Sequence, residues 1–297
     1  MSEATTKDDL NFECQFGDDC FRSQDDVLTW LKGKKQSDIS ENVLSGLLQT
    51  CSAKGCAGLV KRLVNKVPKK QKDRLLCEPL LVAAENGHVS TVQALLDGKA
   101  KVNSRNQKRQ TPLMLAAQKG HDEVVKLLRK RGAKLEASDE DGAKPLMKAA
   151  LYGHVSTVKL LMGMGANVDA KNRYRQTALM SAAERGHTEI AELLVEVVSD
   201  IDARDFLGET ALMVAARTGA YKIVELLLDL EADIDHCDRG RWTAIHGAAH
   251  NGEYEVVKLL IERGATIELW NIDKCSALDL AKENGWIDVA ELLEKHE

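Results

Sequence analysis

The sequence predicts an all-α fold, a solenoid built from helix-turn-helix units joined by hairpin-like turns. A seven-residue phrase, Thr-Ala-Leu-Met-Ser-Ala-Ala at 177–183, recurs at a constant step of 33 residues, with copies starting at 78, 111, 144, 177, 210, 243 and 276. A second motif, Gly-Ala-x-Val-Asp, lies at the end of the units, as at 165–169. A fixed period in this range is typical of stacked repeats, which grow by adding units and not by enlarging one core.

Composition narrows the function classes. The 297 residues hold 41 basic and 46 acidic side chains, and this balance gives no global case for nucleic acid. Seven cysteines without a CxxC pair argue against a disulfide framework and a zinc site, and free thiols favour a reducing compartment. No apolar run approaches the roughly 18 residues of a membrane span. The N-terminus is polar and acidic, unlike a secretory signal. We expect a monomer without membrane insertion in the cytoplasm, with the nucleus as an additional compartment.

Residues 1–39 are predicted to be an acidic N-terminal extension. Residues 1–26 carry eight acidic side chains against Lys7 and Arg22, so the first twenty or so residues are expected to lack fixed structure. This segment is either an arm that docks on a basic surface or a solvated tail. Ser23 with Asp26 resembles a capping box, which predicts a short helix over 23–31 with Trp30 against the first repeat.

The repeat domain is predicted over 40–297, with a degenerate capping repeat at about 40–75 and seven repeats at about 76–297. Residues 47–55 echo residues 79–87, and terminal repeats are expected to be atypical because one face meets water. The run 61–74 holds seven basic residues against Asp73. It could be a localisation signal, a phosphate patch, a dock for the acidic arm or a solvated face.

Each repeat has the same order of sequence features. A polar turn ends in Thr or Ser, such as Thr177, which caps the first helix. Leu179 points that helix into the core, and Gly186 ends it, where a left-handed conformation is accessible to glycine. The second helix carries Val-x-Leu-Leu on one face, as at 158–161.

The unit resembles the ankyrin repeat, whose first helix opens with Thr-Pro-Leu-His-x-Ala. The resemblance covers residues 78–297 closely and 40–77 loosely. The motif histidine survives only as His246 and is otherwise replaced by Met114, Met147, Met180 and Met213. The turn glycine, kept at Gly142 and Gly208, is replaced by Arg109, Arg175, Arg241 and Lys274. These departures leave the predicted fold unchanged, but they raise the question whether the turns keep the geometry of the family.

No residue constellation predicts catalysis, a cofactor or a metal. A histidine recurs at one position of the repeat, as His88, His121, His154 and His187. The resemblance implies a structural hydrogen bond between units for these residues. Packed helices lie roughly 8–10 Å apart and metal–nitrogen bonds are about 2.0–2.1 Å long, so such a row cannot share one ion. GxGxxG, P-loop and nucleophile-elbow motifs are absent from the sequence.

The resemblance implies a concave binding face built from the turn tips and the outer positions of the first helices. Aromatic residues are few, yet four fall on these positions, and exposed apolar and aromatic residues often mark interfaces. Arginines at the tips suit pairing with carboxylates or phosphates. The predicted partner-binding residues are Leu151, Tyr152, Tyr174, Phe206, Leu207, Arg217, Arg239, Trp242, His250, Arg109, Arg175 and Arg241. The alternative is that Tyr174 and Trp242 simply pack on adjacent tips and that the arginines are solvated.

The predicted function is a non-enzymatic protein–protein interaction module, an adaptor or scaffold. Its partner is an extended or helical segment, partly acidic, lying in the concave groove. Two alternatives remain at this point. One is a regulatory array that binds a nucleotide or RNA through aromatics and arginines. The other is a structural spacer within a larger protein.

Overall fold

The computed structural model describes residues 14–16, 19–21, 23–35 and 39–296. The chain divides into two compact units, residues 1–139 and residues 140–297, and each is described by itself. The predicted acidic arm at residues 1–13 lies outside the described residues.

A short antiparallel strand pair opens the described part of the first unit. Strand β1 (Cys14–Phe16) pairs with β2 (Asp19–Phe21), with Cys14 opposite Phe21. The expectation that the first twenty residues lack fixed structure is therefore wrong for these two segments. A Gly-Asp pair between two short runs is a hairpin signal, which the high charge of this segment does not cancel.

The helix predicted after this hairpin is observed as α1 (Gln24–Lys32). The Ser23 hydroxyl accepts from the Asp26 amide, and the Asp26 carboxylate accepts from the Ser23 amide at 2.9 Å, which completes a capping box. Val27 and Leu31 are buried, whereas Trp30 is half-buried. The capping residues thus fix the helix start, and the apolar spacing fixes its buried face.

Two layers of helices form the rest of the first unit. The helices are α2 (Glu41–Ala53), α3 (Ala57–Lys66), α4 (Lys72–Leu75), α5 (Cys77–Glu85), α6 (Val89–Asp97), α7 (Pro112–Gln118) and α8 (Asp122–Lys130), with a 3-10 turn at Lys69–Gln71. Helices α2, α5 and α7 pack side by side as one layer, and α3, α6 and α8 form the other. The degenerate N-terminal segment therefore supplies a helix pair like the others.

The basic run 61–74 is partly used within this unit. The Lys66 ammonium donates to the Lys34 carbonyl at 2.7 Å, and that of Lys72 donates to the Gly98 carbonyl at 2.9 Å. Arg74 pairs with Glu41. Several of the basic residues therefore tie neighbouring segments together.

The second unit repeats the same two layers. Its helices are α9 (Pro145–Leu151), α10 (Val155–Gly163), α11 (Ala178–Glu184), α12 (Thr188–Val195), α13 (Ala211–Arg217), α14 (Tyr221–Asp229), α15 (Ala244–Asn251), α16 (Tyr254–Glu262), α17 (Ala277–Glu283) and α18 (Ile287–Glu294). The odd-numbered helices pack in sequence as one layer and the even-numbered helices as the other. The predicted all-α solenoid is confirmed, with β1 and β2 as the addition.

The repeated motif, Thr-Ala-Leu-Met-Ser-Ala-Ala at 177–183, supplies core residues of this unit. Thr177 is the N-cap of α11, and its hydroxyl accepts from the Met180 amide at 3.3 Å. Ala182 and Ala183 are fully buried and small, which allows neighbouring first helices to approach closely. Met180 is buried as well, so the predicted methionine row serves packing.

The recurrent histidines form hydrogen bonds between successive helix pairs. His187 Nε2 donates to the Leu151 carbonyl at 3.2 Å, and in the first unit His121 Nε2 donates to the Glu85 carbonyl at 2.9 Å. A carbonyl can only accept, so Nε2 carries the proton. Gly153 lies under the His187 ring at φ 78, and a Cβ there would come within 2.6 Å of it. The predicted structural role is confirmed at these positions.

Candidate partner-binding surface

The turns at residues 106–110, 172–176, 205–209, 238–242 and 271–275 are small hairpins, each closed by an Asn or Asp side chain. At residues 172–176, the Asn172 amide donates to the Gln176 carbonyl at 3.1 Å. The Asn172 side-chain oxygen accepts from the amides of Tyr174 and Gln176, both at 2.9 Å. Corresponding side-chain contacts occur at Asp205, Asp238 and Asn271. These bonds fix the backbone of the tip without any contribution from the side chains at its summit, residues 173–175.

The arginines that replace the turn glycine keep the glycine conformation. Arg175 and Arg241 both have φ 59, and the retained glycines Gly142 and Gly208 have φ 80 and φ 93. Arg109, in the first unit, has φ 58. A left-handed backbone costs a non-glycine residue roughly 1–2 kcal/mol. The turn geometry questioned by the sequence is therefore preserved, at an energetic cost.

Backbone hydrogen bonds join the tips of the second unit into one ladder. The Arg173 amide donates to the Asp141 carbonyl at 2.8 Å, and the Phe206 amide donates to the Tyr174 carbonyl at 2.7 Å. The next two steps, Arg239 to Leu207 and Ile272 to Gly240, are both 2.9 Å long. We call this ladder the tip ridge, residues 140–142, 173–175, 206–208, 239–241 and 272–274.

Large apolar side chains are exposed along the tip ridge. Tyr174, Phe206, Leu207 and Ile272 are between 53% and 65% exposed. Tyr152, at the end of α9, is also exposed, and Leu151 is half-buried. The prediction did not include Ile272 among the partner-binding residues, although it follows Phe206 by two repeat lengths.

Trp242 differs from these residues because its ring is half-buried. It meets the His250 ring edge-on at 5.4 Å and lies 6.2 Å from the His246 ring. The Nδ1 atom of His250 also accepts from the Asn284 amide nitrogen at 3.1 Å. The Trp242 ring therefore packs against two histidines of helix α15.

The arginines of the surface are in different situations. The Arg239 guanidinium lies 4.7 Å from the centre of the Phe206 ring, and Arg175 and Arg241 are exposed. The Arg217 side chain lies 3.4 Å from the Glu209 carboxylate. Burial raises the pKa of Glu209, and the charge of Arg217 opposes that shift. Arg217 is thus already engaged within the fold.

A cavity of about 160 Å³ lies between the tip of Tyr174 and the helices α9 and α11. Its apolar wall consists of Met147, Leu151 and Tyr174. The remaining lining residues are Asp141, Ala143, Lys148, Asn172, Gln176, Ser181 and Glu184. Two predicted site residues, Leu151 and Tyr174, therefore meet at one concave site.

The structure brings eleven of the twelve predicted residues into the second unit, whereas Arg109 belongs to the first. Within the described residues, no group of three or more His, Cys, Asp or Glu side chains is arranged to hold a metal ion. In the same part of the chain, no helix is both long and apolar enough to cross a bilayer.

Comparisons with known proteins agree with this architecture. A family model described as ankyrin repeats matches three segments, residues 47–139, 146–238 and 230–297. Among solved structures, the crystal structure of the human ASB11 ankyrin repeat domain is similar, with 30% sequence identity and a TM-score of 0.68. The similarity covers 74% of this chain and 97% of that one. A search of curated protein sequences found no match.

The helix pairs, the turn tips and the matched segments define a class of repeat protein. The chain belongs to the ankyrin-repeat family. Ankyrin repeats generally act as protein–protein interaction modules, and the family is typically non-enzymatic.

Proposed function

We propose that the tip ridge of the second unit, together with the cavity beside Tyr174, binds a segment of a partner protein. The chain would then act as a non-enzymatic adaptor or scaffold. The observation that carries this proposal is the row of exposed apolar side chains on a hydrogen-bonded backbone, interleaved with arginines.

The composition of the ridge supports binding to a protein. Interface hot spots favour Tyr, Trp and Arg, and Tyr174 lies between Arg173 and Arg175 on one tip. When a partner covers exposed apolar groups such as Phe206 and Leu207, apolar surface is removed from water, and this favours association. The arginines would pair with carboxylates of the segment.

The rigidity of the ridge also supports binding. The Asn172 side chain and the ladder between tips hold the summit residues before any partner arrives. Pre-organised surfaces lose less conformational entropy on association, which leaves more of the contact energy for affinity.

Affinity capture with matched variants tests the proposal. The immobilised chain would be compared in a cell lysate with Tyr174→Ala/Phe206→Ala, and with Val197→Ala/Leu230→Ala as the control. The control residues are also exposed and apolar but lie just beyond the second helices α12 and α14. We expect the unmodified chain to capture a partner protein that the ridge variant retains at least about 30-fold less well, which corresponds to about 2 kcal/mol of binding free energy. The control variant should retain this partner as well as the unmodified chain does. Equal retention by both variants would contradict the proposal.

A second candidate, binding of a nucleotide or RNA, is favoured by the stacked pair of Arg239 and Phe206. Aromatic rings and guanidinium planes stack with bases, and arginines bind phosphates. The same capture distinguishes it, because bound nucleic acid absorbs at 260 nm and dissociates steeply with added salt. Retention of no specific material would favour the structural spacer.

The proposal includes a cytoplasmic location and a monomeric state. Five cysteines of the described residues form no disulfide, which supports a reducing compartment: Cys51, Cys56, Cys77, Cys237 and Cys275. Size-exclusion chromatography with light scattering would test the monomer directly.

A further inference from the structure

The interface between the helix pair α11 and α12 and the helix pair α13 and α14 lacks the histidine that joins other pairs. Ala220 occupies the position that His187 holds one repeat earlier. Gly186 faces open space as a result, because a Cβ there would have no non-neighbouring atom within 4 Å. In the described chain, the Glu184 carbonyl, which a histidine at position 220 would reach, receives no hydrogen bond from a side chain. We call this interface the central seam.

Thr218 places a hydroxyl at the central seam without securing it. The hydroxyl oxygen lies 3.2 Å from the Ala183 carbonyl across the seam and 3.0 Å from the Val214 carbonyl of its own helix. A hydroxyl has one proton to donate, and the Val214 carbonyl is the nearer acceptor. Thr218 therefore does not replace the missing histidine.

Backbone donors form the other polar bonds of the central seam. The Phe206 amide donates to the Tyr174 carbonyl in the tip ridge, and the Asp233 amide donates to the Asp202 carboxylate at 3.1 Å. The preceding interface has counterparts of both bonds and the His187 bond in addition. The two backbone bonds are thus common to both interfaces and do not compensate for the missing one.

The second helices are also joined by fewer polar contacts at the central seam. On one side of it, Lys159 of α10 pairs with Glu189 of α12 at 3.0 Å. On the other side, Arg263 of α16 pairs with Asp229 of α14 at 2.6 Å. Leu230 is the counterpart of Arg263 at the seam, and no ion pair joins α12 to α14 among the described residues.

Apolar packing is reduced at the same place. Ala191 of α12 is fully buried, as are Val158 of α10 and Val224 of α14 at the same repeat position. Alanine removes less apolar surface from water than valine, so it contributes less to the association of the helices. The missing histidine, the missing ion pair and the smaller side chain all weaken one interface.

We propose that the central seam divides the second unit into two cooperative blocks. Residues 210–296 unfold and refold together under native conditions while α9 to α12 stay folded. The physical reason is that each helix pair of a solenoid contacts only its neighbours, so the array separates first at its weakest interface. Opening separates Tyr174 from Phe206 and so divides the tip ridge. The inference goes beyond the proposed function, because the opening requires no partner.

Urea unfolding of the full chain followed by two signals tests the division into blocks. Trp30→Phe leaves Trp242, Trp270 and Trp286 as the remaining tryptophans, and all three lie within residues 210–296. Fluorescence then reports this block alone, whereas far-ultraviolet circular dichroism reports all the helices. We expect the fluorescence transition to be complete while most of the helical signal remains. Coincident transitions would overturn the inference.

Restoring the histidine should strengthen the central seam. Ala220 has φ -76 and ψ 64, close to the φ -79 and ψ 77 of His187, so Ala220→His suits the existing backbone. One restored hydrogen bond should slow amide hydrogen exchange in α13 to α18 by about fivefold. Lys222→His adds the same residue at an exposed position of α14 and should leave the exchange rates unchanged.

Ala191→Val strengthens the central seam from the other side and should slow exchange in the same helices. It decides the question if Ala220→His does not fold. Exchange that is equally fast in α9 to α12 and in α13 to α18 of the unmodified chain would overturn the inference. So would exchange rates that neither Ala220→His nor Ala191→Val slows, or that Lys222→His slows as much as Ala220→His does.

Discussion

The guanidinium group of Arg239 lies 4.7 Å from the centre of the Phe206 ring, across two successive tips of the second unit. The two residues occupy the same position of the turn, and their backbones belong to the same ladder of hydrogen bonds. The contact holds a cation and an apolar surface side by side on the tip ridge. It gives the ridge a defined pattern before any partner binds.

This contact should have a measurable energy. Cation–aromatic pairs at exposed sites contribute about 0.5–1 kcal/mol. In a double-mutant cycle of Phe206→Leu and Arg239→Gln, we expect a coupling of that size in the free energy of unfolding measured with urea. Strictly additive losses would show that the two side chains lie near each other without interacting.

The left-handed arginine at position 241 should be a destabilising residue. Glycine avoids the roughly 1–2 kcal/mol cost of this backbone, while its greater freedom in the unfolded chain returns about 0.5–1 kcal/mol. Arg241→Gly should therefore raise the free energy of unfolding by about 0.5–1 kcal/mol. The matched change Gly208→Ala, at φ 93, should lower it. If Arg241→Gly destabilises, the arginine side chain stabilises the fold by contacts that outweigh the strain.

His246 should make the fold sensitive to acid. Its Nε2 donates to the Leu269 carbonyl at 3.0 Å, and its Nδ1 lies 2.8 Å from the Thr243 hydroxyl. Burial lowers the pKa of His246 from its ordinary value of 6.5. The unfolded chain therefore takes up the proton first, so stability present above about pH 6.5 is lost as the pH falls.

The neighbouring repeats provide the control substitution, because the same position is methionine at Met213. His246→Met should lower the free energy of unfolding at pH 7.5 by about 1–2 kcal/mol, since the Leu269 carbonyl loses its partner. The difference from wild type should shrink as the pH is lowered to 5. Urea unfolding at several pH values measures this difference. Parallel curves for the two proteins would contradict the assignment.

Trp286 takes the place of the recurrent histidine in the last helix pair. Its indole nitrogen donates to the His250 carbonyl at 3.0 Å. Trp286→Phe keeps an aromatic ring but removes the donor, and should cost about 1 kcal/mol. Trp286→His should recover part of that loss, because the imidazole serves this bond elsewhere in the chain. Thermal unfolding of the three proteins gives the comparison, and equal stability of Phe and His would contradict it.

The sequence predicts the fold well because the 33-residue period repeats the same physical requirements. Thr177, Ala182 and Gly186 each meet one local need, a cap, a close approach and a helix end. The recurrent histidines also follow the period, so their structural bonds could be expected. The hairpin at β1 and β2 has no such repetition, and only a short Gly-Asp signal pointed to it.

The candidate surface is less predictable because tip residues are held by backbone bonds and not by their own side chains. Exposure of Tyr174, Phe206 and Leu207 follows from their place in the turn. Which side chains pair with one another does not follow from the period. Trp242 against His250 and Arg217 beside Glu209 depend on contacts peculiar to these repeats, and the cavity beside Tyr174 depends on the size of Ser181 and Ala143.

Photo-crosslinking from single positions of the full chain would show most directly whether the tip ridge binds a protein segment. Benzoylphenylalanine would replace Phe206 or Leu207 on the tip ridge, and Val197 or Leu230 as controls. We expect discrete protein adducts in a cell lysate from the ridge positions. These adducts should be competed by unlabelled chain and absent from the controls. Adducts of equal yield from all four positions, or adducts with nucleic acid alone, would contradict the proposal that the tip ridge binds a protein segment.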